Sequence, residues 1–453
     1  MKVISRASVP DEERWRIYNK IAGKILPLIV LGYTIASIDR MNVAFAKLQM
    51  SADIGLSETM YGFGAGIFFV GYCLFEIPSN MILHKVGARM WLARIMIMWG
   101  VLSAGMMFVQ TPSQFYVLRF LLGITEAGFY PGALLFLTYW FPRYARGQAV
   151  SIMLLGTSLA AIVGGPLAGG IMGFMDDLAG LRGWQWLFLV EGVPATLLGI
   201  VVLIVLRNGP HDAGWLNAGE KEIVTADLSA EAEAQAQQGT GRHRFADAFR
   251  NPNIWCLVLA NFCNLCTLYG IQFWLPTIIQ RVSQTAVFAT GLIAAGLAIL
   301  PCAVLILNAR HSDRTGERRW HAAGGFLLSL VGLTIAGSFS ENPYLVLSGL
   351  VLGQCGVAAA SATIFALPAT FVLGAAAAAG FAFITTIGNF AGYASPYLIG
   401  VLRDATGGFS AAFYGLAMVA FIGALFILAT PALRRPADAK GKVRQPAADL
   451  AGS

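Results

Sequence analysis

The sequence predicts an all-α membrane protein with twelve transmembrane helices, arranged as two pseudo-symmetric six-helix bundles. Three observations support this fold class: the composition, a series of apolar windows of membrane length, and an internal repeat. Of the 453 residues, 57% are hydrophobic and only 12% are charged, whereas about a quarter of a soluble domain is charged. A chain of this length has too few charges to coat a water-soluble core, so we expect lipid around it.

Apolar windows recur along the whole chain. A helix of about 20 residues crosses the roughly 30 Å of hydrocarbon in a bilayer. We place the twelve helices near residues 22–46, 60–84, 90–110, 113–141, 147–174, 184–206, 252–281, 286–310, 320–338, 342–365, 372–402 and 411–433. Glycine and proline inside several windows are compatible with membrane helices, because neighbouring helices can satisfy the freed backbone groups.

The distribution of lysine and arginine predicts the orientation. These residues are concentrated in the N-terminal segment, the C-terminal tail and most even-numbered connections, whereas each odd-numbered connection carries one or none. Cytoplasmic loops are enriched in both residue types. We therefore predict a multi-pass protein of the bacterial inner membrane with both termini in the cytoplasm. The polar N-terminus does not resemble a cleavable signal peptide, so the first helix should act as a retained insertion signal.

A long polar connection divides the helices six and six. Residues 220–244 are charged, rich in alanine and glutamine, and without aromatics, which predicts a linker that is partly helical and partly disordered. The predicted organisation is a cytoplasmic segment 1–21, a bundle 22–206, a cytoplasmic linker 207–251, a second bundle 252–433 and a cytoplasmic tail 434–453.

An internal repeat supports this division. The stretch "HKVGARMW" (84–91) follows the second predicted helix, and "DRTGERRW" (313–320) follows the eighth. The matched pairs are Gly87 with Gly316, Arg89 with Arg318, and Trp91 with Trp320. The same loop signature at the same place in each half indicates a duplicated transporter.

Ionisable residues inside the predicted helices mark the candidate site. They are Asp39 and Arg40 in the first helix, Glu76 in the second, Arg119 and Glu126 in the fourth, and Glu191 in the sixth. Such residues are costly in a membrane, and they usually face a cavity or a partner on an ion or substrate path.

Four of these residues are predicted to lie close in depth. At 1.5 Å per residue, Asp39 and Arg40 lie about 21 Å from the cytoplasmic edge, and Arg119 lies at a similar level on the fourth helix. Glu126 follows Arg119 by two turns on the same face, about 10 Å deeper. Two guanidinium groups at one level can bind a carboxylate, and a neighbouring acid that gains and loses a proton could couple transport to a proton gradient.

Two alternatives remain open for these residues. Asp39 with Arg119, or Arg40 with Glu126, could form ion pairs that only hold the helices together. Glu76 and Glu191 each lie two or three residues before a proline, where a carboxyl can bond to backbone groups freed by a kink. For these two acids we favour a structural role.

Uncharged polar residues on other helices could complete a cavity. We predict Tyr72, Tyr269, Gln272 and Asn389 as substrate-binding residues, with Asn389 the best single candidate because an amide gains nothing from facing lipid. Further polar residues could pack or line the cavity: Thr157, Ser158, Trp274 and Tyr393.

The sequence predicts neither a cofactor nor a metal site. All six cysteines lie in apolar segments, and the C-x-x-C formed by Cys263 and Cys266 has no second pair or histidine cluster to complete a zinc site. Buried thiols acting as small hydrophobic side chains are the favoured interpretation. The net charge of +7 is spread over short loops, which is typical of membrane proteins and does not indicate nucleic-acid binding.

Five stretches resemble one branch of a known family. They are "IDRMNVAFAKLQM", "GIFFVGYCLFEIPSNMILHKVGAR", "RFLLGITEAGFYPG", "GWQWLFLVEGVPA" and "TTIGNFAGYASPYLIG". Together they resemble the anion:cation symporters of the major facilitator superfamily, and among these the tartrate, phthalate and 4-hydroxyphenylacetate transporters. The resemblance covers nearly all of both halves and implies the major facilitator fold.

The resemblance also implies residue roles. Asp39 and Glu126 would titrate, Arg40 and Arg119 would hold or gate the substrate carboxylate, and Tyr72 and Asn389 would face the site. The candidate gating loops comprise His84, Gly87, Arg89, Asp313, Gly316 and Arg318. One departure is His84, which stands where the superfamily usually has an aspartate; the second-half copy keeps Asp313.

The expected function is proton-coupled import of an organic carboxylate by alternating access, carried out by a monomer whose partners are a small organic anion, protons and lipid. The sequence does not decide between tartrate, a sugar acid and an aromatic acid. A drug-efflux antiporter is the nearest alternative, because "GGPLAGG" (164–170) occurs in the fifth helix. A sensor is disfavoured because the linker is too short for a signalling domain. An enzyme is disfavoured because all five histidines fall in loops or at their edges.

Overall fold

We analysed a computed structural model, which describes residues 3–237, 251–365, 367 and 375–430. Throughout these ranges the regular structure is helical. The predicted tail 434–453 and residues 238–250 of the predicted linker lie outside the described residues.

The N-terminal half contains the first six spans. Its helices are α1 (Glu12–Asp53), α2 (Glu58–Val86), α3 (Ala88–Gly105), α4 (Pro112–Glu126), α5 (Phe129–Thr138), α6 (Arg143–Phe174) and α7 (Gly183–Val205). α4 and α5 follow each other along a single apolar span, Pro112–Thr138. α1 begins ten residues before the predicted window and ends seven residues after it, so it extends beyond the bilayer at both ends.

The C-terminal half follows one further helix, α8 (Ala218–Gln237). Its helices are α9 (Pro252–Ser283), α10 (Val287–Thr315), α11 (Arg319–Ser338), α12 (Pro343–Ile364), α13 (Ala375–Asn389), α14 (Ala391–Thr406) and α15 (Ser410–Ala429). Eleven described spans are long and apolar enough to cross a membrane. α13 and α14, which are separated only by Phe390, occupy the remaining predicted window, and the predicted all-α membrane fold is confirmed.

The fourth span is broken where the sequence predicted a continuous helix. Gly128 adopts a positive φ of 91°, which favours glycine. A Cβ at Gly128 would also overlap the Ser79 hydroxyl. That hydroxyl donates a 2.7 Å hydrogen bond to the freed carbonyl of Ala127, which is how membrane helices tolerate such breaks. The break leaves Glu126 as the last residue of α4.

The repeated loops make the same contact in both halves. After α2, Gly87 has a φ of 94°, and the guanidinium of Arg89 donates to the carbonyl of Leu203 near the end of α7, with the Nε bond at 2.8 Å. In the second half, Arg319 Nη2 donates to the carbonyl of Leu428 near the end of α15 at 2.8 Å. The role of Arg89 is therefore taken by Arg319, one residue beyond the predicted match.

The other predicted loop residues stay within their own loops. Arg318 approaches Asp313 at 3.8 Å, and Gly316 has a φ of 68° at the end of α10. His84 lies in the last turn of α2.

The helix α8 is docked on the N-terminal half. Asp227 accepts hydrogen bonds from Arg14 at 3.0 Å, Tyr18 at 2.9 Å and Tyr144 at 2.7 Å. Glu231 pairs with Arg146 at 3.0 Å. The first part of the predicted linker therefore contains an ordered helix, which packs on the N-terminal half near the start of α1.

The two halves meet at the end of the molecule remote from the start of α1. We call four residues there the closure cluster: Lys47, Glu58, Trp274 and Arg403. Glu58 pairs with Lys47 at 2.8 Å and with Arg403 of the other half at 3.0 Å. Both cations lie over the Trp274 ring, at 5.0 Å and 5.6 Å from its centroid. These contacts join the halves at this end.

Candidate functional site

An ion pair between the first and fourth spans forms the centre of the candidate site. Arg40 Nη2 donates to Glu126 Oε1, and the Glu126 side chain is only 1% exposed. The Arg40 guanidinium lies over two rings of α2, 5.4 Å from the centroid of Tyr72 and 5.6 Å from that of Phe68. The helix break after Glu126 holds its carboxyl at this level.

Arg119 is fully buried and lies two turns before Glu126 on α4. Its Nη2 donates to the carbonyl of Ala65 at 3.2 Å, and its guanidinium lies 4.9 Å from the Phe68 centroid. Nε and Nη1 have no hydrogen-bond partner among the described residues. Because leaving buried donors of a charged group unpaired is costly, the arrangement suits an anionic ligand that accepts these bonds.

Asp39 is held by neutral donors. The Ser103 hydroxyl and the Asn42 amide both donate to its Oδ1, the latter at 3.0 Å. In the described part of the chain its Oδ2 has no partner. Of the two alternative ion pairs considered from the sequence, the structure therefore contains the one between Arg40 and Glu126, whereas Asp39 and Arg119 are electrostatic neighbours without an ion pair.

The C-terminal half contributes an aromatic wall. Tyr269 on α9 lies next to Arg40, and its ring centroid is 4.5 Å from that of Phe69 on α2. Tyr72 and Tyr269 thus flank Arg40 from opposite halves. These two predicted residues converge with Asp39, Arg40, Arg119 and Glu126 into what we call the charged cluster.

Two other predicted residues, among those that the structure describes, make no side-chain hydrogen bond to the charged cluster. Gln272 lines a separate cavity that also contains Glu191. Asn389 is the half-buried last residue of α13, and the described residues provide it with no hydrogen bond. On the same helix, Thr386 Oγ1 approaches Glu76 Oε2 at 3.5 Å, so Glu76 joins α2 to the other half.

Sequence reasoning missed three uncharged residues that support the site. Ser103 and Asn42 position Asp39, and Ser79 stabilises the break that places Glu126. Their contacts are made across helices or over a single turn, so no spacing signal in the sequence distinguished them.

The described residues contain no group of three or more His, Cys, Asp or Glu arranged to hold a metal ion. Cys263 and Cys266 are both buried free thiols on α9. This geometry is that of small apolar side chains within a helix.

The charged cluster holds unused hydrogen-bond donors next to a buried carboxylate. Arg119 offers two unused N–H donors, and Arg40 Nε is also unpartnered within the described ranges. Glu126 Oε2 is likewise unpartnered.

Comparison with known proteins identifies the family. Residues 29–392 match the family model described as Major Facilitator Superfamily. The chain is 42% identical to the "Putative metabolite transport protein NicT" of Pseudomonas putida, over 92% of this chain and 94% of the relative. It is also 42% identical to a "Putative tartrate transporter" of Agrobacterium vitis, over 93% and 92%.

A further relative carries a different name. The chain is 36% identical to the "Quinolone resistance transporter" of Acinetobacter baumannii, over 90% of this chain and 93% of the relative. Among solved structures, an inward-open form of the xylose transporter XylE from E. coli superposes with a TM-score of 0.73 at 15% identity, covering 90% of this chain and 96% of that one. The last likeness concerns the fold.

These matches cover most of the chain, including both halves and the charged cluster. They show a multi-pass membrane transporter rather than an enzyme, as the sequence predicted. The chain belongs to the Major Facilitator Superfamily.

Proposed function

We propose that this protein is a proton-coupled symporter that imports an organic carboxylate across the bacterial inner membrane by alternating access. The observation that carries the proposal is the charged cluster: the fully buried Arg119 and the partly exposed Arg40 both have unused N–H donors, and Arg40 is ion-paired to the buried Glu126. A carboxylate is the anion whose planar geometry matches a guanidinium best.

Coupling follows from competition for Arg40. In the structure the Glu126 carboxylate is the partner of Arg40. A substrate carboxylate that binds Arg40 and Arg119 replaces that partner, and Glu126 then takes up a proton. The charge inside the protein stays balanced only when anion and proton are bound together, so they cross the membrane together. Asp39, whose Oδ2 is free of described partners, is a second acid that can hold a proton here.

The proposed orientation places both termini in the cytoplasm, following the lysine and arginine bias of the connections. The closure cluster then lies on the periplasmic side, and the state described here is shut towards the periplasm. Release into the cytoplasm would precede separation of Lys47 and Glu58 from Arg403. We further propose that a single chain is the transporting unit.

The substrate class is a small tartrate-like or aromatic acid. Two relatives at 42% identity are named for metabolite and tartrate transport, and the rings of Tyr72 and Tyr269 beside Arg40 can cover an organic anion. Purified protein would be screened for thermal stabilisation by tartrate, phthalate, 4-hydroxyphenylacetate and a sugar acid. We expect at least one carboxylate to stabilise the wild type and to have no effect on Arg119→Ala.

The decisive test is uptake by proteoliposomes of the acid chosen by that screen. We expect accumulation when the outside is made acidic, and abolition by a protonophore. Uptake that ignores the pH gradient would contradict proton coupling, and stabilisation of wild type and Arg119→Ala alike would contradict the assigned site.

Efflux is the second candidate function, favoured by the 36% identity to a relative named for quinolone resistance and by the glycine-rich stretch 164–170. A proton antiporter would expel a quinolone when the outside is acidic, whereas the proposed symporter would take up the carboxylate. The same proteoliposomes, loaded with a quinolone, separate the two functions by the direction of transport.

A further inference from the structure

A second polar site lies between the halves, apart from the charged cluster. It is a cavity of about 70 Å³, enough for a few water molecules at about 10–15 Å³ each. Four polar side chains line it: Asn42, Glu191, Gln272 and Gln354. At 100° per residue, Arg40 points about 160° away from Asn42 around α1, so this cavity and the ion pair occupy opposite faces of that helix.

Glu191 is the ionisable residue in this cavity. It is 5% exposed, and neither carboxyl oxygen has a hydrogen-bond partner in the described structure. An isolated carboxylate in such surroundings is strongly disfavoured, because burial removes its hydration and nothing replaces it. A cation, a proton or a hydrogen-bond donor must therefore bind to the Glu191 carboxyl oxygens.

The unpartnered atoms around the cavity indicate which of these is bound. Asn42 Nδ2 donates one of its two N–H groups to Asp39, and Asn42 Oδ1 is an acceptor without a donor. Gln354 Nε2 is a buried donor without an acceptor. A carboxylate ion cannot donate to Asn42 Oδ1, whereas a carboxylic acid donates through its O–H and still accepts at its second oxygen. A protonated Glu191 thus matches both orphaned amide atoms.

The charged groups around Glu191 do not supply an alternative partner. On α1, Asp39 is its ionisable neighbour, and a second negative charge further favours the neutral acid. The cavity residues contributed by α6, α9, α10 and α12 are all uncharged. On α3, Ser103 is the polar residue at this level and is bonded to Asp39.

We propose that Glu191 is a second proton-binding site, occupied by a proton in the closed state described here. What that proton does rests on the proposed function: Asn42 lines the cavity of Glu191 and donates to Asp39, so loading of Glu191 is linked to the acids that serve the anion site. Proton binding at Glu191 itself does not depend on which substrate is carried.

Close helix contact controls access to this site. Gly165 lines the cavity, and a Cβ there would lie 2.6 Å from the carbonyl oxygen of Gly291 on α10. One turn further towards the closure cluster, Gly169 packs as closely against Val287. When the halves separate at this end, the α6–α10 contact opens and Glu191 meets the solution on that side. The proton is therefore loaded from the side that the closure cluster seals.

Infrared difference spectroscopy of the purified full-length protein tests the proposal directly, since it reads the C=O stretch of protonated carboxyl groups. Spectra of wild type and Glu191→Gln are compared from acid to alkaline pH, with Glu76→Gln as a control acid outside the cavity. We expect a protonated-carboxyl band at neutral pH that Glu191→Gln removes and Glu76→Gln retains. An identical band in wild type and Glu191→Gln would overturn the proposal.

A second variant covers the case in which Glu191→Gln does not fold. Asn42→Ala removes the acceptor of the acid O–H, so the band should persist but shift to higher frequency. An unshifted band would contradict the assigned hydrogen bond. Stabilisation of wild type by sodium chloride over potassium chloride, without a carboxyl band, would reassign the site to sodium. The readouts need no transport, so failure of the proposed function and failure of this inference are distinguishable.

Discussion

The two halves share a fold but differ in where they bury charge. Among the described residues, every buried charged side chain lies in the N-terminal half: Asp39, Lys47, Arg119, Glu126 and Glu191. The buried polar residues described in the C-terminal half are uncharged, and two of its asparagines bond to other helices of the same half. Asn261 Nδ2 donates to the Ile384 carbonyl at 3.1 Å, and Asn264 Nδ2 donates to Ser361 Oγ at 2.7 Å.

This difference indicates a division of roles between duplicated bundles. The N-terminal half carries the groups that can bind an anion and exchange protons. The C-terminal half presents an aromatic wall to them through Tyr269, and it contributes Trp274 and Arg403 to the closure. Since buried charges are costly unless they are used or paired, their confinement to one half localises the chemistry there.

Of the substitutions that test this difference between the halves, Arg119→Ala should have the largest effect on substrate binding. Removing a buried guanidinium that binds the substrate carboxylate should weaken binding at least about 100-fold, at a cost of about 3–5 kcal/mol. Asn264→Ala is the matched change in the C-terminal half and should weaken binding less than about 10-fold. Isothermal titration of both variants checks this, and equal losses would remove the contrast.

Glu126→Gln should separate binding from coupling. The amide cannot exchange a proton, so accumulation driven by a pH gradient should stop, whereas counterflow exchange and substrate binding persist within about 10-fold. Uptake of labelled substrate into proteoliposomes measures both activities. Glu76→Gln alters an acid at the contact with Thr386 and should keep gradient-driven accumulation. Loss of accumulation in Glu76→Gln but not in Glu126→Gln would assign the coupling site to Glu76.

Glu58→Gln should weaken the closure without touching the charged cluster. Losing the charge between Lys47 and Arg403 should shift the equilibrium away from the closed state by about 1–2 kcal/mol, a population change of about 5–30-fold. Distances between spin labels on α2 and α14 report the shift. Asp53→Asn, which lies at the same end but pairs with Arg182 inside the N-terminal half, should leave the distance distribution unchanged.

Tyr269→Phe tests the C-terminal contribution to the site. Loss of one hydroxyl beside Arg40 should weaken substrate binding about 3–10-fold while the ratio of protons to substrate stays the same. Reversal-potential measurements give that ratio. A changed ratio would mean that the C-terminal half takes part in proton transfer.

The smallest effect is expected at the docked helix α8. Burial acts to raise the pKa of Glu220, but a hydrogen bond from Lys20 and one from the Asn217 backbone outweigh it and hold that pKa below its usual range. A lowered folded-state pKa means that this group stabilises the protein above its unfolded-state pKa, and that the contribution is lost as the pH falls through the folded-state value. Glu220→Gln should therefore lower the melting temperature by about 1 °C at neutral pH.

The control for this prediction is the same pair of proteins in acid. There the wild type and Glu220→Gln should melt together, because both side chains are then neutral. A difference that persists at low pH would assign the effect to packing of α8 rather than to the charge on Glu220.

The fold was predictable because length and composition dictate membrane helices directly. The depth estimate also brought Arg40, Arg119 and Glu126 to one region, since helical rise is constant. The break at Gly128 was not predictable, because it depends on Ser79 from another helix. That Gln272 would line the cavity of Glu191 was not predictable either, because a helix in a bundle has several buried faces and periodicity does not say which cavity each one meets.

The surroundings of Glu191 were not predictable from the sequence either. Its neighbouring proline favoured a structural role, yet the structure places its carboxyl in a cavity with unpartnered oxygens. The arrangement depends on residues of both halves, which are distant in sequence and are brought together by the packing of the halves, including that of α6 against α10.

The most direct test of the account measures protons taken up on substrate binding. Purified wild type and Glu126→Gln, in weakly buffered solution, receive a saturating amount of the carboxylate selected by the thermal screen, and the pH change is recorded. We expect proton uptake by the wild type and its loss in Glu126→Gln, with substrate bound in both. Equal uptake by the two proteins, or binding to the wild type without any uptake, would contradict competition between the substrate and Glu126 for Arg40.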